Sequence, residues 1–154
     1  MSDIRNVSAD HPAAAPLLAG LRQEYFTLYG AAVERELDRY AAMQFHPPEG
    51  AFLILEADGV TLAGGALRKL SDGIGEIKRM WTAPAQRGRG YGRRVLAALE
   101  DAAMKRGYRS LRLVTGNPQR AALALYASAG YREIAPYGPH RGDPRLVCLE
   151  KALA

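Results

Sequence analysis

The order of apolar and polar residues divides the chain into a helical first third and a longer region in which strands and helices follow one another. Residues 4–7 predict a short strand. Residues 12–23 begin with proline and carry spaced leucines, and they predict a helix. Gly30 interrupts a second helical pattern, which resumes over residues 31–43 and ends before Pro47-Pro48.

After residue 50 the period of the pattern shortens to two, as expected for strands. Three strands are predicted, over residues 51–56, 60–70 and 75–82. Asp58-Gly59 supplies the turn between the first two. Gly64-Gly65, inside the second strand, indicates a bulge or a close approach of another group. These signals predict an antiparallel meander.

The most regular helical stripe follows the meander. It starts at Tyr91, continues through Val95 and Leu99, and ends at Gly107, which suits the position after a helix C-terminus. Residues 110–115 then predict a strand. A strand, a helix and a further strand in this order imply a right-handed parallel crossover.

The last quarter of the chain predicts one more helix and two strands. Asn117 is expected to be the N-cap of the helix, with Pro118 at its first position, and Gly130 closes it. Residues 131–134 and 145–149 are the final predicted strands.

A loop rich in glycine and arginine, residues 87–92, precedes the long helix, and Arg93-Arg94 follows it. Its glycines leave the backbone open to a ligand and tolerate positive φ. The first N–H groups of the helix lack intrahelical partners and lie at the positive end of its dipole. The loop therefore predicts a cradle for a phosphate-bearing ligand, with a solvated glycine-rich turn as the alternative.

Two better-known phosphate loops do not match this stretch. A Walker loop ends in Gly-Lys-Ser/Thr, which is absent here. A dinucleotide fingerprint has G-x-G-x-x-G and an acidic residue about twenty positions later. This loop has G-x-G-x-G, and Tyr108 and Arg109 stand near the position of the acid.

Composition narrows the class of protein only moderately. The 154 residues suit one domain, and 48% apolar with 24% charged residues is ordinary for a globular protein. The formal net charge of +5 fits either a nucleic-acid binder or a protein that holds a polyphosphate. Because the arginines concentrate around the glycine loop, a small phosphorylated ligand is favoured and nucleic acid is not expected.

Other signals concern location and metals. Cys148 is the single cysteine, so no internal disulfide is possible. The first residues do not form a signal peptide, and no apolar run reaches the roughly 20 residues of a membrane span. A cytoplasmic protein is expected. The three histidines lack the spacing of a metal site, so no metal is expected.

The order of these elements, together with two motifs, resembles the GNAT superfamily of acetyl-CoA-dependent N-acetyltransferases. Arg87, Gly90 and Gly92 match the family's Gln/Arg-x-x-Gly-x-Gly/Ala loop. Leu125-Tyr126, followed by Gly130-Tyr131, looks like its second motif. The resemblance implies a single α/β (α+β) domain with a GNAT fold: a mixed, mostly antiparallel seven-stranded sheet with helices on both faces.

The resemblance also implies acetyl-CoA as co-substrate. The loop would hold its pyrophosphate, and the strand before the loop would pair with the pantetheine arm. In the family an asparagine often stands seven residues before the tyrosine, and this chain has Gln119 at that position. Asn117 is therefore interpreted either as a contact of the pantetheine arm or as the N-cap of the helix. The expected cofactor-binding residues are Met80, Trp81, Thr82, Gln86, Arg87, Gly88, Arg89, Gly90, Tyr91, Gly92, Arg93, Asn117 and Gln119.

Two residues are expected to take part in the chemistry. Tyr126 corresponds to the family tyrosine that protonates or hydrogen-bonds the leaving thiolate. Glu76 stands eleven residues before Arg87, the interval at which some members carry a catalytic glutamate. A lysine-like amine costs roughly 4–5 kcal/mol to deprotonate at pH 7, so a general base is useful. A charge at a strand start is the other interpretation of Glu76.

Family precedent places the acceptor between the first helices and the final strands. The nominated residues are Tyr25, Tyr29, Arg79, Tyr137, His140 and Arg141. The expected function is acetyl transfer to a primary amine of a small molecule in a ternary complex, without an acyl-enzyme. The alternatives are a protein or peptide amine as acceptor, or a non-catalytic CoA-binding regulatory module. A homodimer is possible by resemblance.

Overall fold

The computed structural model describes residues 3–30 and 42–153, so most of the helix predicted over residues 31–43 lies outside the described residues. Seven strands and three α-helices form the described part. They are β1 (Asp3–Asn6), α1 (Ala15–Tyr29), β2 (Ala51–Ala57), β3 (Val60–Ser71), β4 (Ile74–Thr82), α2 (Tyr91–Lys105), β5 (Ser110–Gly116), α3 (Arg120–Ser128), β6 (Arg132–Ile134) and β7 (Leu146–Ala152).

The seven strands form one sheet in the order β1-β2-β3-β4-β5-β7-β6. All neighbouring pairs are antiparallel except β4 and β5, which are parallel and joined through α2. The predicted meander, crossover and mixed sheet are therefore confirmed. The parallel pair lies at the centre of the sheet, where the two antiparallel halves meet.

Helices cover both faces of the sheet, as predicted. On one face α2 buries Val95 and Leu99 against the sheet, and α3 adds Tyr126 to the same core. On the other face α1 buries Leu17 and Leu21. Truncating one of these leucines to alanine is expected to destabilise the fold by about 2–5 kcal/mol, since each is fully buried.

The central parallel pair is short. Its register runs only from Ile74, opposite Ser110, to Ile77, opposite Leu113. Both strands continue beyond this point without pairing with each other. Arg79 has a φ of 61°, in the left-handed region, and the register between β3 and β4 shifts nearby. The two strands therefore separate at their C-terminal ends.

Two local predictions were wrong. The helix expected over residues 12–23 continues to Tyr29, and Gly30 caps its C-terminus with a φ of 74°. Asn117 is not the N-cap of α3; Gln119 holds that position. The Asn117 amide instead donates to the Pro144 carbonyl over 3.2 Å, which fastens this turn to the segment before β7.

Candidate active site

A cavity of about 1290 Å³ opens where β4 and β5 separate. Its walls come from α1, the ends of both strands, the glycine loop and the first turns of α2 and α3. Typical small-molecule sites measure roughly 300–1000 Å³. The volume therefore suits one extended ligand together with a second, smaller one.

The glycine loop forms one end of this cavity. Gly88 and Gly90 have φ values of 81° and 82°, and a Cβ at either position would meet open space. Helix α2 starts immediately afterwards, at Tyr91, and no side chain caps it. Its first N–H groups are consequently available to an anion. The cradle expected from the sequence has the required backbone geometry.

Arg87 connects this loop to two other parts of the cavity wall. Its Nε donates to the Thr82 carbonyl over 3.2 Å, at the end of β4. Its Nη2 donates to Glu24 Oε2, on α1, over 2.5 Å. The guanidinium thus lies between the end of β4 and α1, with a carboxylate already beside it.

Most of the expected cofactor-binding residues border the cavity. They are Met80, Trp81, Thr82, Gln86, Arg87, Gly88, Gly90, Tyr91, Gly92, Arg93 and Gln119. Arg89 and Asn117 do not border it. Arg89 is exposed, and the Asn117 amide is bound to the Pro144 carbonyl.

Tyr126 combines burial with a position on the cavity wall. It lies on α3, is 5% exposed and packs edge-on against Tyr131 with the ring centroids 5.8 Å apart. Burial raises the pKa of its phenol above the ordinary value of 10.0. Among the described residues, none forms a hydrogen bond with its hydroxyl. A buried hydroxyl without a partner is costly, so it is suited to receive one from a ligand.

Glu76 is 1% exposed and does not border the cavity. Arg68 Nη1 donates to its Oε1 over 2.6 Å, and the Tyr137 hydroxyl donates to its Oε2 over 2.5 Å. Lys78 Nζ lies 3.8 Å from Oε1. This arrangement holds the carboxylate within the protein and does not favour direct contact with a substrate, so the assignment as general base stays a prediction.

Three of the six nominated acceptor residues border the cavity: Tyr25, Tyr29 and Arg79. Tyr137 does not; its hydroxyl binds Glu76 and its ring lies against the Arg112 guanidinium, 5.4 Å from the ring centroid. Arg141 is exposed away from the cavity, and the side chain of His140 lies outside the described part of the structure.

Tyr29 links the acceptor side to the cofactor side. Gln119 Nε2 donates to its hydroxyl over 2.9 Å, and the Arg145 guanidinium lies 5.5 Å from its ring centroid. A Cβ at Gly116 would lie 1.7 Å from the same hydroxyl, so only glycine fits at the end of β5. The end of α1 is therefore fastened across the gap between the strands.

Sequence reasoning missed five charged residues that border the cavity: Glu24, Lys78, Arg120, Asp143 and Arg145. A signal existed for Lys78, because it stands two residues after Glu76 on the same face of a strand. The other four lie on helix α1, at the start of α3 and on an irregular segment. Their approach to the cavity depends on tertiary packing, for which the local pattern gives no signal.

Among the described residues, no group of three or more histidine, cysteine or acidic residues is placed to hold a metal ion. Within residues 3–30 and 42–153, no helix has the length and apolar character needed to cross a membrane.

Comparison with known proteins identifies the family. The model of the acetyltransferase (GNAT) family matches residues 18–131. The IAA acetyltransferase of Azospirillum brasilense is 37% identical over 107 residues, which cover 69% of this chain and 70% of that protein. The residues that match the family model include the glycine loop and Tyr126.

Solved structures agree with this match. A protein from Klebsiella pneumoniae, provisionally named acyl-CoA N-acyltransferase, superposes with a TM-score of 0.83 at 32% identity, over 100% of this chain and 99% of that one. The PaiA N-acetyltransferase of Thermoplasma acidophilum, solved with coenzyme A, shares the fold with a TM-score of 0.77 at 16% identity, over 99% of each chain. The chain therefore belongs to the GNAT family of N-acetyltransferases, which use acyl-CoA.

Proposed function

We propose that this enzyme transfers an acetyl group from acetyl-CoA to a primary amine of a small molecule, by direct attack in a ternary complex. One observation carries the proposal: the cavity that the glycine loop borders is also bordered by Tyr126, whose buried hydroxyl has no hydrogen-bond partner among the described residues. An anion cradle for the cofactor and a hydrogen-bond donor for the leaving sulfur, in one cavity, are what the proposed reaction requires.

The residues around the cavity fit acetyl-CoA. The open loop at Gly88 and Gly90 and the uncapped start of α2 suit its pyrophosphate. The part of β4 after Ile77 has no strand beside it on the β5 side, so its backbone groups are available to the pantetheine arm. Acetyl-CoA supplies the activated thioester, and the protein supplies orientation and charge stabilisation.

The proposed chemistry needs no covalent intermediate on the protein. The neutral amine forms a bond to the thioester carbon, the carbon–sulfur bond breaks, and the amine loses a proton. In this proposal Tyr126 donates a hydrogen bond to the sulfur. Because the raised pKa of Tyr126 lies above the roughly 8.5 of a thiol, complete proton transfer to the thiolate is uphill. The phenol therefore acts mainly by stabilising the charge that develops on sulfur.

Glu76 does not border the cavity, so in this proposal it acts only through water or through its neighbours. Its carboxylate accepts from Tyr137 and Arg68 and lies near Lys78, which borders the cavity. The proton that leaves the amine passes to water or, through water, to Glu76. A pH profile of the Glu76→Gln variant separates the two routes, since only the second gives Glu76 an ionisation that appears in the rate.

The choice of a small acceptor has two supports. A relative that is 37% identical is named for its action on IAA, a small molecule. In addition, the bond between Gln119 and Tyr29 joins α1 to the start of α3 at the cavity wall, and we expect this link to hinder the entry of a folded protein more than that of a small molecule.

The test is a free-thiol assay with acetyl-CoA and a panel of amino acids, amines and peptides. Release of CoA with formation of an acetylated small amine supports the proposal. Turnover of peptides alone would reassign the acceptor to protein amines. Tight binding of acetyl-CoA without turnover of any member would favour a regulatory module.

A further inference from the structure

The face of α1 that packs on the sheet continues past the point where the central strands diverge. Leu17 and Leu21 are fully buried on that face, and Tyr25 packs against the same core. Tyr29 follows at the same four-residue spacing, so these side chains lie along one side of the helix. Tyr25 and Tyr29 border the cavity that opens where β4 and β5 separate. The apolar face of α1 therefore ends in two aromatic rings at the cavity wall.

Contacts from three parts of the chain hold the ring of Tyr29 in position. Tyr25 packs against it in an edge-on arrangement, with the ring centroids 6.0 Å apart and an interplanar angle of 73°. Gln119 Nε2 donates to its hydroxyl over 2.9 Å, and the Arg145 guanidinium lies 5.5 Å from its ring centroid. A side chain that is already fixed loses little conformational freedom when a ligand packs against it. The rings thus form a preorganised part of the wall.

The aromatic pair begins beside the group proposed to bind the leaving sulfur. Burial is the main cause of the raised pKa of Tyr126, and the nearby Tyr25 phenol is the second cause. In the proposed function the Tyr126 hydroxyl binds the sulfur of acetyl-CoA. The amine has to reach the carbon next to that sulfur, so its carbon body would lie beside Tyr25 and extend toward Tyr29.

The charges on the cavity wall argue against a second amino group in the acceptor. Among the described residues that border the cavity, the carboxylates are Glu24 and Asp143. Glu24 accepts from Arg87 over 2.5 Å, and Asp143 accepts from Arg145 over 3.0 Å. A diamine or polyamine would have to displace one of these arginines before a carboxylate could neutralise its second ammonium group.

We infer that the acceptor is a primary monoamine with an aromatic body, which packs against Tyr25 and Tyr29. The inference rests on the proposed function and names its substrate class. Aromatic rings attract one another in edge-to-face and offset arrangements beyond the effect of the area they bury. The pair therefore favours an aromatic body over an aliphatic one of similar size.

The test measures binding to the protein saturated with CoA, by calorimetry at one pH, so that it does not depend on turnover. The ligands are 2-phenylethylamine, 2-cyclohexylethylamine and ethylamine, which share an ethylamine arm, together with putrescine and spermidine. We expect 2-phenylethylamine to bind about tenfold or more tightly than ethylamine, because it buries a ring. It should also bind about three- to tenfold more tightly than 2-cyclohexylethylamine, and more tightly than either polyamine.

Variants of α1 locate the effect. Tyr25→Leu and Tyr29→Leu each remove one ring and should lower the preference for 2-phenylethylamine over ethylamine at least threefold. Tyr29→Phe keeps the ring without its bond to Gln119 and should retain the preference. Phe26→Leu is the matched control, since Phe26 is 55% exposed on the same helix and does not border the cavity. Unchanged binding of CoA shows that each variant is folded.

The inference is overturned if ethylamine, 2-cyclohexylethylamine or a polyamine binds as tightly as 2-phenylethylamine, or if 2-phenylethylamine does not bind. It is also overturned if Tyr25→Leu and Tyr29→Leu both keep the preference of the wild type. Failure of the proposed function has a different outcome. In that case the free-thiol assay shows no acetyl transfer to any amine, whatever the binding preference.

Discussion

Arg87 of the glycine loop and Glu24 of α1 form an ion pair, with Nη2 and Oε2 2.5 Å apart, at the edge of the cavity. Both side chains are partly exposed, so the pair itself contributes little to stability. Its importance is its position. The phosphate groups expected in the cradle would approach Arg87 beside the carboxylate of Glu24, which carries a negative charge as they do.

Neutralising Glu24 is therefore expected to strengthen acetyl-CoA binding. In Glu24→Gln the repulsion between carboxylate and phosphate disappears, and the Kd for acetyl-CoA should fall about three- to tenfold at low salt. Titration calorimetry at two salt concentrations measures this. Glu133→Gln, at an exposed position on β6, is the control and should have no effect. Weaker binding by Glu24→Gln would show instead that Glu24 holds Arg87 in its productive position.

Removing the Tyr126 hydroxyl should slow the reaction without weakening substrate binding. Tyr126→Phe keeps the ring that packs against Tyr131, so we expect kcat to fall by about 10²-fold or more while the KM for acetyl-CoA changes little. Steady-state kinetics on the best acceptor measures both constants.

Tyr131→Phe is the matched control for that change. It removes a hydroxyl that donates to Glu100 over 2.8 Å, and Tyr131 does not border the cavity. This variant should lose stability but keep kcat. Equal losses of kcat in the two variants would mean that Tyr126 acts through packing alone.

The pKa of Tyr126 predicts how stability depends on pH. Burial raises this pKa in the folded state above its ordinary value of 10.0, so the folded state holds the proton more tightly than the unfolded state. The free energy of unfolding that this pKa difference contributes is fully present below pH 10, and it is lost as pH rises toward the folded-state pKa. Thermal unfolding from pH 8 to pH 11 should show a steeper loss in the wild type than in Tyr126→Phe. Parallel curves would contradict the prediction.

Gly116 is expected to tolerate no side chain. Gly116→Ala places a Cβ 1.7 Å from the Tyr29 hydroxyl, so Tyr29 must leave its bond with Gln119. Overpacking of this kind typically costs about 1–3 kcal/mol. Chemical denaturation should show this loss, and the double variant Gly116→Ala, Tyr29→Phe should recover part of it. No loss in the single variant would show that α1 is not fastened here.

The fold followed closely from the sequence because its signals are local. Asp58-Gly59 fixes a hairpin, the stripe from Tyr91 to Leu99 fixes a helix face, and the glycine loop is continuous in sequence. The prediction of Asn117 as the N-cap was wrong because its side-chain amide binds the carbonyl of Pro144, 27 residues away, instead of its own helix. Local capping preference was overridden by a tertiary contact.

The site was only partly predictable for the same reason. The positions of Tyr126 and of the loop residues follow from motifs on single elements. The partners of Glu76 come from β3 and from the segment before β7, and Glu24 reaches Arg87 across 63 positions of sequence. Such contacts depend on how the elements pack, and a single sequence carries no periodic signal for them.

The central claim is direct transfer from acetyl-CoA to the amine, and intact-protein mass spectrometry during a single turnover tests it most directly. The enzyme is mixed with acetyl-CoA alone and then with the acceptor identified by the thiol assay. We expect the mass of the protein to stay unchanged throughout, with acetylated amine and free CoA appearing only after the acceptor is added. An acetylated protein that forms before the amine is added, and loses its acetyl group to the amine, would contradict the account.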